Sequence, residues 1–154
     1  MSDEFIPQVI TGEMVVREAR AYLGVRFKHT GESFEGIDCS GLALAVARTL
    51  GQAPLDYRRP AYSLRPDPAL FMREILRWTR RIERDERQAG DIALMTHHVE
   101  QPRTEHCAFV TDIGLLHIFP AASIARVTEH SLDALWERKI LHVLRLKGVV
   151  DAWA

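Results

Sequence analysis

The sequence contains no apolar run approaching the roughly 20 residues that cross a bilayer, so no membrane span is expected. Its opening stretch, MSDEFIPQVI, is acidic and has neither the basic nor the apolar segment of a secretory leader, which predicts no signal peptide and a cytoplasmic site of synthesis. Only two of the 154 residues are cysteine. That is too few for a disulfide framework, so in a reducing compartment each thiol has to be explained by burial or by chemistry. Neither sign of charge dominates: 20 Lys and Arg face 21 Asp and Glu, which leaves no polyanion footprint and no nucleic-acid partner. Internal repeats and low-complexity tracts are also missing, and 47% hydrophobic against 27% charged residues excludes the disordered class.

What is present suits one domain, since a chain of this length buries roughly two-thirds of its unfolded surface. Val15, Val16, Ala19, Tyr22 and Leu23 recur at helical spacing over residues 12 to 23, with Thr11 as cap and Gly24 as stop. Residues 25 to 29 read as extended and 30 to 36 as a loop. Asp38 can cap a second helix over 39 to 50, with Leu42, Ala45, Val46 and Leu50 inward and Gly51 ending it. Asp67-Pro68 opens a third helix that turns Phe71, Ile75 and Trp78 inward. After Ala89-Gly90 the pattern changes to β-prone segments at 92 to 95, 106 to 111, 115 to 119, 124 to 127 and 140 to 146, with a serine-capped helical turn at 131 to 136. The expected class is α+β, helices packed on an antiparallel sheet of about five strands.

Cys39 falls in the first turn of its helix, where the dipole and unpaired N–H groups favour thiolate over thiol. The same groups suit the oxyanion of a tetrahedral intermediate. A buried structural thiol is the competing account. A partner base is available in the hairpin around Asp112-Ile113-Gly114. His106, Ala108 and Val110 share one face of its first strand. An even-numbered loop puts His117 on that face as well, and an odd-numbered one sends it to the other. In the functional account His106 takes the thiol proton and His117 orients its ring. The bland account is two ordinary strand histidines. Cys107 alternates away from His106 and reads as structural, His97 and His98 as members of a solvated loop, and His130 and His142 carry no signal. With no CxxC or HxxxH pair, no metal and no cofactor are expected. Nine of the 17 arginines lie between Arg58 and Arg87, a basic window that reads as a solvated, ion-paired face.

The stretch ARAYLGVRFKHTGESFEGIDCSGLALAVARTLG, with its core Asp38-Cys39-Ser40-Gly41-Leu42, closely resembles the nucleophile region of the NlpC cell-wall peptidase family. Ala89-Gly90-Asp91-Ile92 looks like that family's GD turn, and HCAFVTDIGLLHI like its two-histidine hairpin. The resemblance implies a papain-like fold and hydrolysis of peptidoglycan stem peptides, commonly between D-glutamate and a diamino acid. It implies Cys39 as nucleophile, His106 as base and His117 as the orienting third residue, with Asp38 and Ser40 shaping the subsite for the stem peptide's amino end. Where the family often has a tyrosine, this chain has Arg26-Phe27-Lys28-His29. A substrate-facing hydroxyl is therefore missing, and His29, with Phe27 beside it, is the candidate substitute. RFKHTG, the long loop before His106 and LDALWERKILHVLRL look most like the phage-tail and gene-transfer-agent branch, which implies tail-tip proteins as partners and action at the wall from a virion tail. A thioester acyltransferase and a tail-assembly protein with a residual site are the competing functions.

Overall fold

The computed structural model describes residues 9–119 and 125–152. Helix α1, Gly12–Arg20, starts where the Thr11 side chain accepts from the Met14 N–H, and it buries Val15, Val16 and Ala19. Leu23, expected inward, is 45% exposed because the helix has already given way to a turn closed by Gly24. The extended piece after it pairs with residues 125 to 127, through Phe27 N–H to the Ala125 carbonyl and Val127 N–H to the Val25 carbonyl, both 2.9 Å. The loop expected at 30 to 36 contains a small hairpin, β1 (Glu32–Ser33) and β2 (Gly36–Ile37). Helix α2, Cys39–Thr49, follows directly, and seven of its residues from Gly41 to Ala47 are buried. Gly41 is required there, because a Cβ would sit 1.9 Å from the Gly31 carbonyl oxygen.

An irregular segment leads to α3, Pro68–Ile75, capped by Asp67, and on to an edge strand β3, Thr79–Ile82. The remaining strands are β4 (Ile92–Met95), β5 (His106–Val110), β6 (Gly114–His117), β7 (Thr128–Ser131) and β8 (Ile140–Leu146). They form one antiparallel six-stranded sheet in the order β3-β8-β4-β5-β6-β7. The sheet is thus one strand larger than expected. The strand expected at 124 to 127 begins outside the described residues; 125 to 127 pair with 25 to 27 and not within the sheet, whose strand β7 lies just beyond them. The short helix α4, Ala134–Glu137, is capped by Asp133 rather than by serine, since Ser131 is still paired in β7.

Side-chain alternation divides the sheet between two cores. Ile92, Leu94, Cys107, Phe109, Leu116 and Leu144 pack with α1 and α2. Ala93, Met95, Ala108, Val110, Leu115, Ile140 and Val143 pack on the other face, under Trp136. The turn before β4 is held by a buried ion pair in which Arg145 Nε and Nη2 meet the two Asp91 carboxylate oxygens at 2.7 and 3.0 Å. Among the described residues, no helix is long and apolar enough to cross a membrane.

Candidate active site

Asp38 begins the site. Its Oδ1 accepts from the Gly41 N–H at 2.8 Å, which closes the cap of α2, and its Oδ2 accepts from the Thr30 N–H at 2.9 Å. Thr30 takes φ 64°, a strained conformation for a β-branched residue, and so lies where that bond can form. Two groups that the sequence did not nominate complete the cluster. Arg59 Nη1 reaches Asp38 Oδ1 at 2.9 Å and Ser40 Oγ at 2.7 Å, and the Tyr62 hydroxyl donates to Asp38 Oδ2. The Asp38 and Arg59 side chains are only 6% and 11% exposed, so each charge depends on the other. His29 does not enter this cluster through its ring. Its Nε2 meets the Tyr62 carbonyl at 3.0 Å, and the ring stands edge-on to Tyr62. Phe27 packs against the helix-side core, bridged to Ile37. Behind Ser40 a cavity of about 50 Å³ is lined by Tyr57, Tyr62, Leu70, Phe71 and Trp78.

Cys39 is half-buried at the first position of α2 and meets β5 at Cys107, whose thiol donates to the Cys39 carbonyl at 3.2 Å. The neighbouring Cys107 thiol holds Cys39 below the ordinary thiol range, helped by the Cys107 and Ser40 N–H groups, while burial and Asp38 push the other way. Cys107 is driven well above that range, first by its bond to Cys39 and then by burial. It therefore stays a thiol, as its core position suggests. Among the described residues, no hydrogen bond joins the Cys39 sulfur to an imidazole.

The histidines gather on the other face of β5. The pairing of Val110 with Leu115 leaves residues 111 to 114 as an even-numbered loop, which brings His117 onto the face of His106. His106 Nε2 and His117 Nδ1 lie 2.6 Å apart, and each ring is 2% exposed. His117 Nε2 continues to His130 Nε2 at 2.7 Å, so His130, which carried no signal in the sequence, belongs to the row. His97 was expected in a solvated loop. It packs its ring 5.2 Å from that of His106 and 4.9 Å from that of Phe119. Burial, then repulsion from His117, His97 and Lys139, keeps His106 well below the usual imidazole range. Burial and His130 take His117 down to about 3. Both rings are neutral at pH 7. Among the described residues, no group of three metal-ligating side chains is arranged around a common point.

No protein-family model matches the chain, and no curated protein is similar to it in sequence. Solved structures are. An NlpC/P60 family protein from Bacillus cereus superposes with a TM-score of 0.64 at 17% identity over 90% of this chain. The fold is that of the NlpC/P60 proteins. The NlpC/P60 domain of the peptidoglycan hydrolase SagA gives 0.57 at 18% identity over 89% of the chain. A lipoprotein-like NLP/P60 protein from Staphylococcus aureus gives 0.57 at 21% over 93%. The chain spans the whole of the SagA domain, but only 41% of the Bacillus protein and 44% of the Staphylococcus protein.

Proposed function

We propose that this chain is a cysteine hydrolase of the NlpC family that cleaves peptidoglycan stem peptides through a thioester intermediate. The observation that carries this reading is the orientation of His106. Its Nε2 is engaged by His117 at 2.6 Å, which leaves Nδ1 without a hydrogen-bond partner among the described residues, on the residue that precedes Cys107 and on the opposite face of β5 from the Cys39 contact. In the proposed cycle Nδ1 takes the Cys39 proton and the thiolate attacks the amide carbon. The N–H groups opening α2 hold the oxyanion, and the imidazolium returns the proton to the departing amine. Water, deprotonated by the same nitrogen, then hydrolyses the thioester. Asp38, with its charge balanced by Arg59, faces the amino end of the stem peptide, and the small cavity behind Ser40 suits a methyl-sized side chain such as alanine's.

The bond between D-glutamate and a diamino acid is the expected cleavage point, and the likeness to the phage-tail branch favours a tail-tip setting. The test is digestion of purified wall and of defined muropeptides with product masses. New amino groups should appear with the native chain and disappear with Cys39→Ala at unchanged thermal stability. Equal release by both proteins ends the proposal.

A further inference from the structure

The histidine row does not stop at His117, and its far end decides what its near end can do. His130 Nδ1 lies 2.9 Å from the Ser131 carbonyl oxygen, which can only accept, so that nitrogen carries a proton. In a neutral His130 the other nitrogen, Nε2, is then an acceptor, and the His117 Nε2 facing it at 2.7 Å must donate. His117 Nδ1 is in turn left as an acceptor, and His106 Nε2 must donate into it at 2.6 Å. The one lone pair remaining in the row is on His106 Nδ1, the nitrogen that the proposed base needs. No step in this sequence involves a carboxylate, and the two inner rings are buried, so nothing but the direction of these hydrogen bonds sets the tautomers.

We propose that His130 is a positioning residue which, anchored by the Ser131 carbonyl, fixes the tautomers of His117 and His106 so that His106 keeps its lone pair on Nδ1, the nitrogen that the proposed base needs. Trp136, whose ring centroid is 4.6 Å from that of His130 and 5.3 Å from that of His117, walls this row and holds both rings in place. The inference rests on the hydrolase reading for its role in turnover, but the tautomer order is a property of the resting protein and stands or falls separately.

Nitrogen NMR of the imidazoles in the native chain should show protons on His106 Nε2, His117 Nε2 and His130 Nδ1. A proton on His117 Nδ1 would overturn the assignment whatever the activity. His130→Leu removes the acceptor, and kcat on muropeptide should fall about tenfold with little change in KM, a fraction of the full value of a general base. His130→Gln offers an amide oxygen to His117 and should recover most of the rate. A His130→Leu chain that keeps both its kcat and the native His106 tautomer refutes the proposal. If the native chain releases no amine from any wall substrate, the hydrolase reading fails, while the NMR result still decides the order of the row.

Discussion

The two faces of β5 are built on opposite electrostatic principles. On the helix side, around Cys39, charges are buried in compensated pairs: Asp38 with Arg59, backed by the Tyr62 hydroxyl and the cap of α2. On the other side the rings of His106 and His117 are buried with neither a cation nor a carboxylate hydrogen-bonded to them, and burial keeps them uncharged. In the proposed hydrolase, thiol and base would each be held ready to react without a full charge on either at rest. The thiol is made easier to ionise by neutral donors at the helix start, and the imidazole is kept as free base by exclusion of water. In the proposed cycle, charge develops on both only when the proton passes from Cys39 to His106.

The largest effect should come from cutting the link between the faces. His106→Gln is expected to lower the rate of wall hydrolysis by about 10²- to 10⁴-fold, the usual worth of a positioned general base. It should also slow alkylation of Cys39 at neutral pH, measured by mass spectrometry with iodoacetamide. Unchanged alkylation would mean that the two faces are not chemically joined.

Next in size is the compensated side. Arg59→Met leaves the Asp38 carboxylate buried without its cation and should cost about 3 to 5 kcal/mol in urea unfolding. The neutral side is broken by acid instead. His117 titrates near 3 in the folded chain, against 6.5 for an unperturbed imidazole, so below pH 6.5 the unfolded chain binds the extra proton first. The stability contributed by keeping this ring neutral is complete above pH 6.5 and is lost progressively as the pH falls toward 3. Thermal melts of the native chain should drop across that window, and those of His117→Asn should drop less steeply.

How much of this was legible from the residues depended on whether the cause was local. Asp38 as cap and Cys39 as first helical residue belong to one contiguous motif, and their placement followed from it, whereas the close approach of Gly41 to the Gly31 carbonyl depends on a loop that the motif does not specify. The side of His117 was open between two loop parities, and only the register of Val110 with Leu115 decided it. Strands β3 and β7 were missed because Thr-Arg-Arg-Ile and Thr-Glu-His-Ser are polar edge segments, held by pairing to a neighbour rather than by an apolar face. His130 became visible only through the register that sets it beside Leu115, and His97 only through a tertiary contact. Arg59 and Tyr62 come from a segment with no regular structure, where no periodicity announces which side chains point inward.

Tyr62 sets the smallest and sharpest test. Residues 26 to 29 lack the tyrosine that the resemblance leads one to expect, and His29 was the substitute the sequence offered. The hydroxyl nevertheless reaches the site, from 24 residues beyond Asp38, with its phenol oxygen between Asp38 Oδ2 and Arg59 Nη1. His29 only steadies the backbone and ring of Tyr62. If the hydroxyl is the functional element, Tyr62→Phe, which removes one oxygen and leaves the ring edge-on to His29, should cost about 1 kcal/mol of stability and raise KM for muropeptide several-fold with kcat nearly unchanged. His29→Ala should have a weaker effect in the same direction, because it loosens the ring without removing the oxygen. The reverse ranking, with His29→Ala the more damaging to KM, would return the substrate contact to the imidazole and leave the Tyr62 hydroxyl as a structural partner of Asp38.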